Sequence, residues 1–121
     1  MTESTRRLLR LEEFEGVLVV SFLESKIVTE ENIQDMGDEL YALVEQDGQN
    51  RLLLDFENVH YLSSAALGRL INLKKKVTAA NGRLRIFGVH PDIMEVLRIT
   101  HLDTVFDIQP DRETALQGMS E

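Results

Sequence analysis

Residues 52–108 read LLLDFENVHYLSSAALGRLINLKKKVTAANGRLRIFGVHPDIMEVLRITHLDTVFDI, and the changes of pattern within this stretch decide the fold. It opens on the apolar run Leu52-Leu53-Leu54, bounded by Arg51 and Asp55. Near-continuous hydrophobicity over so short a length suits a strand covered on both faces, and therefore central in its sheet. Leu67, Leu70, Ile71 and Val77 then form a helical stripe, while Arg69, Lys74, Lys75 and Lys76 mostly face away. Asn81-Gly82 supplies a left-handed stop, so a helix is predicted over 64–80. Leu84, Ile86 and Val89, with Phe87 between them, make another strand. Pro91 follows at a favoured first helical position, ahead of a buried stripe of Ile93, Val96 and Leu97. Residues 105–108 read as a final edge strand. Residues 111–119, helix formers with an acidic first turn, read as a fourth helix.

Working outward, 8–14 and 17–23 are two strand-like runs separated by Glu15-Gly16, a tight hairpin connection, after a polar start. From Glu30 the period changes: Ile33, Met36, Leu40, Leu43 and Val44 recur at helical spacing, with Thr29 placed as N-cap, and the helix ends near Asp47-Gly48. The order β-β-α-β-α-β-α-(β)-α predicts an α/β fold. It has a mostly parallel central sheet of four to five strands, an N-terminal β-hairpin at one side and about four helices. At 121 residues, with no internal repeat or low-complexity stretch, the chain 1–121 reads as one domain.

Composition excludes several classes of function. A net charge of −8 with scattered basic residues offers no basic stripe for a phosphate backbone, so nucleic acid is not an expected partner. With no cysteine there is no disulfide, thiol nucleophile or thiolate metal site. No apolar run reaches the roughly 20 residues that span a bilayer, and 1–11 carries charges where a signal peptide has an apolar core. Neither membrane insertion nor export is expected, and the predicted address is cytoplasmic. His60, His90 and His101 lie in or beside predicted loops, and no pair has the helical spacing of a zinc motif, so no metal or cofactor is expected. Ser64, His60 and Asp55 could be drawn as a triad, but the glycines of a nucleophile elbow are missing, and no enzyme is predicted. Glycines occur singly, at turns and at Gly68 within the helix over 64–80, where a missing side chain favours close packing or contact. Lys74-Lys75-Lys76 reads as a solvated helix face.

The whole stretch 52–108 resembles the core of the STAS family, and within it the bacterial anti-sigma factor antagonists. The parts that carry the likeness are the strand LLLDF, the serine-containing loop opening a helix in HYLSSAALGRL, the strand RLRIFGV, the Pro-initiated short helix and the tail HLDTVFDI. In those antagonists the loop typically reads Asp-Ser-Ser-Gly-Leu-Gly. Matching Leu67-Gly68 to its Leu-Gly makes Ser64 the implied phosphoacceptor and puts Ser63 where the family has aspartate. Ala65-Ala66 stand in place of Ser-Gly. Ser63 is the second candidate for modification, with Thr100 a further one.

The resemblance implies a partner surface of Tyr61, Leu62, Ser63, Ser64, Ala65, Ala66, Gly68 and Arg69. It implies as partners an anti-sigma factor serine/threonine kinase, which also phosphorylates, and a serine phosphatase that reverses the step. The competing expectation is a constitutive scaffold, or a subunit of a signalling or lipid-transport complex, with no phosphorylation. A helix start suits the switch on physical grounds as well, since its N–H groups and positive dipole end tolerate a phosphate there.

Overall fold

The computed structural model describes residues 2–119. The central strand falls where its pattern places it: β5, Arg51–Asp55, lies inside a six-stranded sheet. Before it in the chain come β1 (Thr2–Thr5), β2 (Leu9–Phe14), β3 (Val17–Phe22), β4 (Lys26–Ile27) and α1 (Glu30–Glu45). After it come β6 (Tyr61–Leu62), α2 (Ser64–Ala79), β7 (Arg83–Phe87), α3 (Pro91–Ile99), a 3-10 turn at Leu102–Thr104, β8 (Asp107–Gln109) and α4 (Arg112–Leu116). The sheet order is β1-β2-β3-β5-β7-β8, antiparallel at β1-β2-β3 and parallel from β3 onward.

β5 explains why the run Leu52-Leu53-Leu54 is unbroken. Leu52 and Leu54 join Leu18, Val20 and Ile86 on the face covered by α1, α2 and α3, through Met36, Leu40, Leu70, Leu73, Ile93 and Leu97. Leu53 points the other way, into a smaller cluster with Val17, Val19, Phe87, Ala115 and Met119. That cluster is capped by α4, so both sheet faces are buried along β5.

The sheet is wider than expected. The polar start is itself a strand, β1, which extends the hairpin to three antiparallel strands; Glu3 holds Arg10 through two contacts of 3.2 Å. A polar edge strand has no apolar alternation to reveal it. The final strand begins at Asp107 rather than at residue 105, because 102–104 close a 3-10 turn that seats Phe106 in the core. The hairpin turn is of the mirror-image type, with φ of +51° at Glu15 and +82° at Gly16. None of the helices among the described residues is long and apolar enough to cross a membrane.

Candidate functional site

The connection from β5 to α2 is built almost entirely from backbone constraints. Asp55 accepts from the Glu57 N–H at 2.9 Å and from the Ser21 hydroxyl at 3.3 Å, turning the chain out of the sheet. Phe56 donates its N–H to Phe87 O and sets its ring edge-on to Phe22, with centroids 5.2 Å apart. Gly88, at φ +73°, leaves room for the returning chain: a Cβ there would sit 2.5 Å from Glu57 Cγ. Val59 is buried, and the N–H groups of His60 and Tyr61 both reach Ser25 O. β6 then pairs in parallel with β4, Lys26 opposite Tyr61 and Ile27 opposite Leu62, and the Ser63 N–H donates to Ile27 O. The loop before α2 is thereby strapped to the segment leading into α1.

At the start of α2 the two serines part company. Ser63 is the N-cap, with extended backbone and Oγ accepting from the Ala66 N–H at 3.1 Å. Ser64 is the first helical residue and is exposed, and its hydroxyl has no hydrogen bond among the described residues. Of the eight residues named as a partner surface, Tyr61, Ser64 and Ala65 are exposed, and Leu62, Ser63, Gly68 and Arg69 are half-buried. Ala66 departs from the expectation: it is wholly buried, because it lies one turn ahead of Leu70 on the stripe that faces the core. Of the two roles expected for Gly68, packing and contact, the packing one is not seen, since a Cβ there would meet nothing within 4 Å.

Residues outside the motif complete the site. Ser63, Ser64, Ala65 and Arg69 form one wall of a groove of about 410 Å³, and Val28, Glu30, Ile33 and Gln34 form the other. Val28, in that wall, and Tyr61, three residues before Ser64, are large apolar side chains left exposed, at 49% and 58%. The Lys26 ammonium lies 5.1 Å from the centre of the Tyr61 ring. A larger depression of about 590 Å³, lined by Phe14, Arg112 and Leu116 among others, lies between the hairpin turn and α4, away from both serines. The contribution from α1 and its approach has no local signal, because it arises from β4-β6 pairing across more than thirty residues.

The remaining candidates resolve separately. His60 and His90 stack with centroids 4.2 Å apart, and a ring nitrogen of His90 lies 2.6 Å from Glu57 O. No group of three His, Asp or Glu that could hold a metal occurs among the described residues. The triad drawn from Ser64, His60 and Asp55 is not assembled, since Asp55 serves the turn and Ser21 while His60 is stacked on His90. Lys76 is taken up by Glu45 at 3.1 Å and by the Tyr41 ring, so the lysine run is not uniformly free.

Comparison with known proteins gives a family match: the STAS domain model covers residues 9–115. The chain belongs to the STAS family. A Bordetella bronchiseptica protein described as a candidate anti-sigma factor antagonist, BtrV, is 27% identical over 88% of this chain and 90% of its own length. An anti-sigma-factor antagonist (STAS) domain protein from Planctomyces limnophilus superposes with a TM-score of 0.80 at 25% identity, over 93% of this chain and 98% of that one. The phosphorylated form of SpoIIAA, a Bacillus cell fate determinant, superposes at a TM-score of 0.67 and 15% identity, over 88% and 95% of the two chains, a likeness of fold alone. The STAS fold of this protein is that of the anti-sigma factor antagonists.

Proposed function

We propose that this STAS domain, taken as 1–121, is a cytoplasmic phospho-switch that binds an anti-sigma factor serine kinase and thereby frees a sigma factor for transcription. The observation that carries the reading is the division of labour between the serines. Ser63 Oγ is consumed as the cap of α2, whereas Ser64 Oγ is exposed and uncommitted beside an apolar rim. A phosphate on Ser64 adds roughly 1.5 to 2 negative charges at neutral pH without touching a bond that the fold uses. On Ser63 it would load the oxygen that holds the helix start. The kinase adds the phosphate, a serine phosphatase removes it, and the domain itself catalyses nothing.

The scaffold reading draws on one observation, that Ser63, the N-cap of α2, stands where the antagonists carry aspartate. Phosphopeptide mass spectrometry on the protein isolated with its partners separates the two. The switch requires phosphate on Ser64 and a serine kinase recovered only with the unmodified form. A Ser64→Asp variant should fold normally and lose that kinase. An unmodified Ser64 under every growth condition, with a transporter or scaffold chain bound, sinks the switch and leaves the scaffold.

A further inference from the structure

Gly37 lies in the interior of α1, where glycine is disfavoured, and it is buried. A Cβ built on it would lie 3.1 Å from Arg69 Cδ and 3.5 Å from Arg69 Nε. The bare backbone at Gly37 therefore leaves room for the stem of the Arg69 side chain to pack against α1. Tyr41 ties the main chain of α2 to α1 at the same position, its hydroxyl donating to the Arg69 backbone carbonyl at 2.9 Å. Arg69 is half-buried, yet its guanidinium has no hydrogen bond and no ion pair among the described residues. A guanidinium carries five donors in a fork matched to an oxyanion, and one held partly out of water without an acceptor is set up to take one.

The groove that Arg69 lines is also lined by Ser64. We infer that Arg69 receives the phosphoryl group of Ser64 in cis, an inference that rests on reading Ser64 as the phosphoacceptor. The phosphate then folds into the groove and occupies the space between α2 and the Val28 and Ile33 wall, so that modification fills the docking site as well as charging it. With no acidic residue in the first turn of α2, nothing there competes for the guanidinium. Among the residues lining the groove the other charged group is Glu30, on the opposite wall, and outside that lining Lys26 lies over the Tyr61 ring. Both are present whether or not Arg69 is, so a comparison at position 69 isolates its contribution.

The test uses full-length protein carrying phosphoserine at 64, introduced during translation so that no kinase is needed, and follows the phosphate by ³¹P NMR as pH is varied. Pairing with Arg69 favours the dianion, so its second pKa should be lower by about half a unit or more, roughly threefold in proton affinity, than in Arg69→Gln. Arg69→Met, which keeps an apolar stem against Gly37 and Tyr41, should match Arg69→Gln and serves if the glutamine variant folds poorly. Arg69→Lys should lie between. Equal phosphate pKa values in the parent and both neutral variants overturn the inference. That result is independent of cellular modification: absence of phosphate on Ser64 in cells would remove the functional reading and leave the NMR difference intact.

Discussion

Replacing Ser63 with alanine removes the hydroxyl that accepts from the Ala66 N–H at 3.1 Å. Ala66 is fully buried, so its N–H cannot readily exchange the lost partner for water. Loss of an N-cap costs about 1 kcal/mol and reaches about 2 where the orphaned group is shielded. The expected loss for Ser63→Ala is therefore about 1–2 kcal/mol. Ser64→Ala removes a hydroxyl with no partner from an exposed first-turn position and installs a better helix former, so it should stay within about 0.5 kcal/mol of the parent. In urea, followed by circular dichroism, Ser63→Ala should lower the midpoint by about 0.5–1 M with unchanged slope, while Ser64→Ala leaves it in place. Ser63→Asp, which restores the residue typical of the antagonists, should recover the cap and add a favourable charge at the helix start. Equal losses for the two alanine variants would refute the division of labour on which the functional reading stands.

Other outcomes follow from the same geometry. A Cβ at position 82 would lie 1.9 Å from Asn50 O, backbone that also accepts from the Arg83 N–H, so Gly82→Ala should destabilise by about 3 kcal/mol or more in the same assay. Glu15→Asn should stabilise by about 0.5–1 kcal/mol, because Glu15 holds φ at +51° in a mirror-image turn that asparagine tolerates better; an unchanged urea midpoint would count against it. At α4, the Thr114 N–H and hydroxyl hold the Asp111 carboxyl below its usual pKa. Its stabilising contribution is present above the ordinary carboxylate value and is lost as pH falls through the lowered one. The Met119 methyl signal, next to Val19 and Ala115 in the smaller core cluster, should accordingly shift on acidification in the parent and not in Asp111→Asn.

What was legible in the sequence is what short-range pattern can encode. Leu52-Leu53-Leu54 announced a strand buried on both faces, and the structure divides those leucines between its two clusters. Asn81-Gly82 announced the end of α2, and Asn81 is left-handed at φ +58°. The misses share a cause, dependence on a partner distant in the chain. β1 is polar and becomes a strand only because β2 lies beside it. The two-residue pair β4-β6, the groove wall of Val28, Glu30 and Ile33, and the His60-His90 stack all arise where separate loops meet. Gly68 reads as a glycine for packing or for contact, and the open space around it sets packing aside. Gly37, which does make room for a side chain, stands inside a helical pattern with no local signal of that role.

The same local anchoring bears on why a charge at Ser64 should change binding and spare the fold. α2 is held by Ala66, Leu67, Leu70, Leu73 and Val77, all inside the core, and its entry is fixed by the Ser63 cap and by backbone bonds to Ser25 and Ile27. A phosphate on the exposed neighbour meets the positive end of a sixteen-residue helix, an interaction favourable by about 0.3–1 kcal/mol in the free protein. Once a partner closes over the groove the balance reverses, because stripping water from a dianion costs several kcal/mol unless the partner supplies matching cations. Val28, exposed in the groove wall, and Tyr61, exposed three residues before Ser64, are the side chains through which such a partner would exclude that water. The switch as proposed thus depends on exposed apolar side chains near a hydroxyl that the fold does not use. Truncating Tyr61 to alanine should therefore weaken docking of the unmodified protein and, by letting water reach Ser64 in the complex, shrink the difference in affinity that Ser64→Asp produces. A difference of undiminished size in that background would show that the charge acts through direct repulsion by the partner instead.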